Sequence, residues 1–279
     1  MEKPDPVLLS IIIPTLGRRA EPVQLLASLE NSTFRNFEII IADQNRENFL
    51  NGLIEPFYNK FRIRHLRLDF TGTSAAKNYG ASFAAGRILS FPDDDAEYLP
   101  DTAEKALNLL ASPYAAVFGR TVNRRNSDSY ISYGTRQTEL SLHGNRGLWI
   151  EATIFIFREE FQSYQFDENF GLGARYGASE GHDLVIRMLK DKKRLLFSPA
   201  VMFYHPDRPI VYDYPPEIRR KYNYSLAYAK LCLKHKMYFA LLSTFIKCNL
   251  LIIISFFLKR RKLGWLSAWQ KGTIDACRY

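Results

Sequence analysis

Ile88, Leu89 and Phe91 form a short apolar run that stops at three successive carboxylates, Asp93, Asp94 and Asp95. No other stretch constrains the fold as much. Runs of this kind are the buried strands of parallel sheets, and ligands in such sheets bind just beyond the carboxyl ends of strands. Three adjacent carboxylates repel one another, so a site that keeps them is expected to hold a cation. An all-oxygen ligand set suits Mg2+ or Mn2+, which bind one or two carboxylates together with substrate phosphates. An acidic surface turn before a helix has the same local appearance, and the surrounding chain has to decide.

The preceding segments supply the sheet. Val7 to Ile13 is a continuous apolar run ended by Pro14, which predicts a buried strand followed by the loop Pro14-Thr15-Leu16-Gly17-Arg18-Arg19. A helix with Val23, Leu26 and Leu29 on one face comes next, then a second apolar run, Phe37 to Ala42, closing at Asp43. Strand, helix and strand with short connections make a βαβ unit. An acid ending strand two often contacts a nucleoside, although Asp43 alone could equally cap a turn. Arg62 to Leu68 alternates and suits a third strand. Small residues crowd 75–85, so a helix there can pack close to the sheet, with Gly86 placed to end it. Its polar members, Lys77 and Asn78, form either a solvated face or a contact to a diphosphate.

Beyond the aspartates, Asp101 and Glu104 resemble a capping pair ahead of Leu107 and Leu110. Ala115 to Thr121, Thr153 to Phe157 and Leu195 to Phe203 are further strand candidates. Asn123 to Arg146 is polar, carries Arg124, Arg125, Arg136 and Arg146, and shows no period; it reads as a substrate-facing loop or a decorated excursion. Glycines 171, 173 and 177 lead into a helix whose first turn holds Glu180 and Asp183. Acids there are favoured by the helix dipole, and either could instead act as a general base. Tyr204-His205-Pro206 ends the last strand candidate, where a His is structural or a metal ligand.

In this order the pieces resemble the family 2 inverting glycosyltransferases. Ser10 to Thr15 is similar to that family's first strand and nucleotide loop, and Glu38 to Asp43 to its second strand with a base-contacting acid. Ser74 to Gly80, Gly86 and Phe91 to Asp95 resemble its longest motif and its DXD metal site. Glu180 to Arg187 resembles the stretch with the catalytic base, and Tyr204 to Pro206 its late metal-contacting histidine. The resemblance spans roughly residues 7–206. It implies a GT-A fold, a Rossmann-like, mostly parallel sheet flanked by helices. It implies a metal, Mg2+ or Mn2+, on Asp93, Asp95 and His205, and a UDP- or dTDP-sugar held by Pro14, Thr15, Arg18, Asp43, Lys77, Asn78, Asp93 and Asp94. It leaves Glu180 or Asp183 as the base, with Glu180 matching the first acid of the family's usual Glu-Asp pair. Gln44-Asn45, Lys77 and Gly181 depart from the family's pattern, and Lys in place of Arg loses the planar fork. The reaction implied is a single inverting displacement onto a hydroxyl of a glycan acceptor.

After Pro215-Pro216 the character changes, and the division expected is a catalytic domain over 1–210 and a basic, apolar helical tail over 211–279. Ile218 to Lys236 is basic and tyrosine-rich; Met237 to Leu258 is strongly apolar, broken by Lys247 and Asn249, and followed by Lys259-Arg260-Arg261-Lys262. About 20 apolar residues span a bilayer. A central Lys and basic flanks on both sides instead favour an in-plane or re-entrant helix on anionic lipid, with a single-pass helix and a buried core helix as alternatives. The net charge of +9 itself asks for an anionic partner. Such tails occur in relatives with lipid-linked acceptors, which points to cell-surface polysaccharide or lipopolysaccharide assembly at the cytoplasmic face of the cell membrane. Three late cysteines and a Met1 to Pro6 start without signal-peptide character suit a cytosolic main domain. The competing function is a non-catalytic basic module for membrane or nucleic acid. Nucleic acid is not expected, since the basic residues lie beside an apolar helix rather than among stacking aromatics. A nucleotidylyltransferase would need a Gly-rich loop where Pro14 to Arg18 stands. Donor sugar, acceptor and linkage would be set by loops such as 123–146 and 145–153, which composition does not decode.

Overall fold

The computed structural model describes residues 7–110, 113–129, 131–142, 149–207, 210–257 and 262–278. Met1 to Pro6, Arg146 and the basic run Lys259 to Arg261 lie outside the described residues. The chain forms two compact units, one of residues 1–166 with 184–208, the other of 167–183 with 209–279. The expected boundary at 210 therefore lies near the third crossing, but the glycine-rich segment and the first turn of the helix after it belong with the tail.

The first unit contains one sheet. Strands β1 (Leu9–Thr15), β2 (Phe37–Asp43), β3 (Arg62–Arg67) and β4 (Ile88–Ser90) pair in parallel, in the order β3-β2-β1-β4. β1 and β2 are buried at every position, which explains their unbroken apolar runs, whereas β3 lies at the edge and alternates. β1 does not stop at Pro14 but continues to Thr15. Its last pair with β4 is Ile11–Ser90, so Pro14 sits where β1 has lost one neighbour and a missing N–H is tolerated. Helix α1 (Ala20–Leu29) covers one face with Leu25, Leu26 and Leu29, each fully buried. Burial of each such side chain contributes about 1.5–3 kcal/mol.

Helix α2 (Thr73–Ser82) shows why its sequence is small. A Cβ on Gly80 would lie 2.6 Å from Ile12 Cγ2 of β1. Gly86 does not cap this helix, which ends four residues earlier. A Cβ there would meet the Ser10 backbone nitrogen at 2.6 Å, so the glycine permits the crossing of β1 before β4 begins. A buried network fixes that crossing: Ser10 Oγ donates to Glu38 Oε1 (2.7 Å), Ala85 N donates to the same oxygen (2.6 Å), and Gly86 N donates to Ser10 Oγ (2.9 Å).

The second half of the sheet is mixed. β5 (Glu97–Tyr98) follows the aspartates directly. β6 (Tyr114–Val122), β8 (Ile154–Phe157) and β9 (Arg194–Tyr204) complete the order β4-β8-β6-β9-β5, while β7 (Thr138–Glu139) pairs with β9. β8 runs antiparallel to both β4 and β6, β6 and β9 are parallel, and β5 is antiparallel to β9. Helix α3 (Thr102–Leu109) lacks the capping pair. Asp101 instead binds Lys105 Nζ at 2.7 Å, and Glu104 accepts from Thr33 Oγ1 at 2.6 Å. The polar stretch after β6 is a decorated excursion over its described part: Asn123 closes a turn to Ser127, and Tyr133 and Leu140 are buried. Helix α4 (Arg158–Tyr164) follows β8. The chain changes unit within helix α5 (Glu180–Lys190), whose Leu184, Val185 and Met188 are buried.

The second unit is helical. α6 (Pro215–Lys234), α7 (Tyr238–Phe257) and α8 (Leu263–Arg278) pack together, α6 and α8 most closely: a Cβ on Gly272 would lie 2.5 Å from the Tyr222 carbonyl. α7 is the one helix among the described residues long and apolar enough to cross a membrane. It is not a buried core helix. Phe239, Leu242, Ile246, Leu250, Ile253 and Phe257 recur at helical spacing along one exposed face, while Ala240, Cys248 and Ser255 are buried. Asn249 accepts from Gln270 of α8 at 2.7 Å, so one of its two polar interruptions faces protein; Lys247 is exposed.

Candidate functional site

The aspartates lie between β4, near the middle of the sheet, and β5, at its edge. Asp93, Asp95 and His205 each place a ligand atom within 4.8 Å of the other two. His205 follows β9 directly. Its Nδ1 lies 2.9 Å from the Pro206 carbonyl, an acceptor only, so the proton sits on Nδ1 and Nε2 faces Asp95 Oδ1 at 3.5 Å. That backbone bond is the arrangement that orients metal-ligating histidines. Two carboxylates and an imidazole whose Nε2 faces one of them fit a hard divalent cation.

Arg18, delivered by the loop after β1, spans the other side of the triplet. Its Nη1 lies 2.6 Å from Asp94 Oδ1 and 2.7 Å from Asp95 Oδ2. The three carboxyls are thereby differentiated. Burial pushes Asp93 up to about 6, with Glu151 and Asp95 adding repulsion and Lys77 opposing. Burial also raises Asp94, against the pull of Arg18. Asp95 is held down to about 2: burial works against this, and His205 and Arg18 prevail. His205 is desolvated, which lowers its pKa, but Asp95 outweighs that and raises it.

Lys77 is fully buried, with its ammonium 5.3 Å from the Phe166 ring centroid, so it does not belong to a solvated face. Asn78 makes a reciprocal pair with the backbone of Phe166: its Nδ2 donates to the carbonyl at 2.9 Å and its Oδ1 accepts from the amide at 3.0 Å. Pro14 and Thr15 end β1, and Thr15 is buried. Asp43 closes a turn and also bonds a histidine: Oδ1 accepts from Asn45 N at 2.9 Å and Oδ2 lies 2.8 Å from His65 Nε2. Gln44 and Asn45, the departures from the family pattern, tie three loops together. Gln44 Oε1 accepts from Gly72 N (2.7 Å) and Asn45 Oδ1 from Gly17 N (2.6 Å).

Two participants were invisible in the sequence, and a third, Arg124, was visible only as one of four arginines in a polar loop. Glu151 acts on Asp93 from 58 positions away, His65 partners Asp43 from the next strand, and Arg124 lies 3.4 Å over the Tyr204 ring while pairing with Glu97. Each depends on a cross-strand register that no local pattern encodes.

Glu180 and Asp183 open α5 after Ser179, a non-glycine residue at φ +77°. Both are buried. Asp183 Oδ1 lies 2.6 Å from Lys234 Nζ and 2.8 Å from His235 Nε2, at the end of α6 and just beyond it. Asp167 also binds Lys234, at 2.7 Å. Asp183 is thus the anchor between the start of α5 and the end of α6.

The family model of glycosyl transferase family 2 matches residues 10–172. An uncharacterized glycosyltransferase of Haemophilus influenzae is 36% identical over 104 residues, 37% of this chain and 34% of that protein. The Campylobacter jejuni GalNAc(5)-diNAcBac-PP-undecaprenol beta-1,3-glucosyltransferase is 30% identical over 114 residues, 40% of this chain and 37% of the relative. The matches span little more than a third of the length of these curated relatives. Among solved structures, Staphylococcus aureus TarS 1-349 in complex with UDP-GlcNAc superposes with a TM-score of 0.59 at 16% identity, covering 81% of this chain and 66% of that 1-349 chain. The likeness shows the fold, and it is the GT-A arrangement that the sequence implied.

Proposed function

The chain belongs to glycosyl transferase family 2, and from that premise we propose that it moves a sugar from a nucleoside-diphosphate sugar to a hydroxyl of a lipid-linked or cell-surface glycan acceptor, with inversion at the anomeric carbon. The observation that carries this reading is the convergence of Asp93, Asp95 and His205 within 4.8 Å beside Arg18. A UDP-sugar donor is supported by the UDP-GlcNAc complex of TarS, and a lipid-linked acceptor by the undecaprenol-linked substrate in the Campylobacter relative's name; a dTDP-sugar is the other donor class.

Asp93, Asp95 and His205 are the groups to hold Mg2+ or Mn2+, which when bound neutralises charge on a departing nucleoside diphosphate. Arg18 fixes the rotamers of Asp94 and Asp95, leaving Asp94 to meet the ribose. Lys77 keeps a buried positive charge at Asp93, with Asn78 setting the adjoining turn through Phe166. Pro14, Thr15 and Asp43 border the nucleoside side through the ends of β1 and β2. Glu180, which matches the first acid of the family's usual pair, takes the proton from the attacking hydroxyl, while Asp183 binds Lys234 and His235. Such general-base assistance is worth about 10²–10⁴-fold. The catalytic domain is residues 1–210, and the tail 211–279 rests on the cytoplasmic face of the membrane through the exposed stripe of α7, attracted to anionic lipid.

Calorimetric titration of UDP, dTDP and GDP, with and without Mn2+, tests the reading. One nucleotide should bind in a metal-dependent manner, and Asp95→Ala should abolish the metal dependence. A folded protein that binds none of the three under any condition refutes it.

A further inference from the structure

β2 and β3 each end an apolar row in a polar group. Ile39 and Ile41 are buried in the core beside α1, and Asp43 continues their row at the strand period of two. Ile63 packs against the same core, and His65 follows it on β3. The two polar groups meet: His65 Nε2 lies 2.8 Å from Asp43 Oδ2, with side chains 12% and 5% exposed. Burial pushes the Asp43 pKa up, but the bonds from His65 and Asn45 prevail and hold it below the ordinary carboxylate range. An ionised carboxylate only accepts, so the proton sits on His65 Nε2, which donates. Asn45 holds the other oxygen: its backbone N and its Nδ2 both donate to Asp43 Oδ1, at 2.9 and 2.7 Å. A carboxylate has about four acceptor positions, and these bonds from the described residues leave one, on Oδ2.

One loop joins this carboxylate to the aspartate triplet. Asn45 Oδ1 accepts from Gly17 N at 2.6 Å, and the next residue, Arg18, holds Asp94 and Asp95 at 2.6 and 2.7 Å. Asp43 stands opposite Thr15 in the β1–β2 register, and β2 lies two strand spacings, about 10 Å, from β4. A ribose fits between groups so placed. Pinning both oxygens then has a chemical consequence. A carboxylate free to turn accepts from the ring N–H of one base or from the exocyclic amine of another. Held from two sides, it meets a donor along one line. Uracil, thymine and guanine offer a ring N–H there. Cytosine and adenine present a ring-nitrogen lone pair, which the anion repels, and specificity arises from that repulsion as much as from the bond.

We propose that His65 is a positioning residue for nucleobase choice: by holding Asp43 from the neighbouring strand, it makes the nucleotide site select a base with a ring N–H. This rests on the transferase reading, in which Asp43 borders the nucleoside. The full-length protein is titrated calorimetrically in Mn2+ with UDP, dTDP, GDP, CDP and ADP, and with inorganic pyrophosphate, which has no base. The wild type should bind its best ligand among UDP, dTDP and GDP at least about tenfold tighter than CDP or ADP. His65→Leu, which keeps bulk and removes the donor, should lose about tenfold in affinity for that ligand, the scale of one hydrogen bond to a charged group. Its preference over CDP should fall to within about threefold, while pyrophosphate affinity stays unchanged. His65→Gln, whose amide donates from nearly the place of Nε2, should recover most of the preference. A wild-type preference for CDP or ADP overturns the proposal, as does an unchanged preference in His65→Leu. So does a loss in His65→Leu that pyrophosphate shares equally or that His65→Gln does not recover. Nucleotide binding with an unaltered preference in His65→Leu sinks only the role of His65; binding of no nucleotide by the folded wild type sinks the transferase reading itself.

Discussion

Replacing Asp183 by Asn and Glu180 by Gln separates the acid that holds the structure from the one assigned to react. Asp183 is fully buried and meets two cationic partners, but Lys234 is 36% exposed and its ion pair is screened, so its share is small. The bond from His235, whose side chain is 5% exposed, is the larger part. A hydrogen bond to a buried charged group is worth about 1.5–3 kcal/mol. For a chain of this size each kcal/mol moves the melting temperature by about 2–4 °C. Asp183→Asn should therefore lower Tm by about 3–12 °C, and turnover at a temperature well below that Tm should fall less than about tenfold. Glu180→Gln, at an acid that is also buried, should reduce turnover by about 10²–10⁴-fold when assayed well below the variant's own Tm. The readouts are calorimetric unfolding and release of nucleoside diphosphate from whichever donor binds. The opposite pattern, Asp183→Asn inactive at unchanged Tm and Glu180→Gln active, would refute the assignment and make the Lys234–His235 pair a device for tuning the base.

Ala at position 80 places a methyl 2.6 Å from Ile12 Cγ2 and should cost about 1–3 kcal/mol by urea unfolding, and Ala at 86, which meets Ser10 backbone instead, should cost more. Asp43 is held below its ordinary value because His65 and Asn45 outweigh burial, which pushes the other way. The stabilisation from that shift is complete above the unfolded-state value near pH 4 and disappears as pH falls through the depressed folded value. Asp43→Asn should accordingly flatten the acid side of the stability–pH curve below about pH 4, measured by chemical unfolding at successive pH values. Ile246→Glu and Ile253→Glu, both on the exposed stripe of α7, should each weaken flotation with anionic vesicles by about tenfold or more while leaving helix content by circular dichroism unchanged.

The parallel half of the sheet was legible because burial on both faces leaves an unbroken apolar signature, as in Ile11 to Ile13 and Ile39 to Ile41. The aspartate triplet and His205 were ambiguous one at a time, and it was their place in an ordered set of motifs that singled them out. The capping pair at Asp101 and Glu104 misled, since residue type and spacing are the same whether the side chains turn to the helix or to Lys105 and Thr33. Gly86 misled similarly: a helix end and a close strand crossing both require glycine. The antiparallel insertion of β8 was hidden, because a strand buried on both faces reads alike in either direction. The motif favoured Glu180 over Asp183 only by its match to the first acid of the family's pair, and the partners of Asp183, 51 and 52 residues later, had no local signal.

The aspartate loop is tethered at one end to β4, in the middle of the sheet, and at the other to β5, whose strand partner among the described residues is the end of β9 through Glu97–Tyr204 and Tyr98–Phe203. During synthesis the carboxylates thus leave the ribosome about 110 residues before the strand that pins them and the histidine that completes them. At about 5–20 residues per second that interval is roughly 5–20 s. The nascent chain passes through it with strands β1–β4 already made and its acidic triplet still untethered. A chain stalled before residue 194 should be compact yet unable to retain Mn2+, whereas one stalled after the whole of β9 and His205 have emerged should retain it.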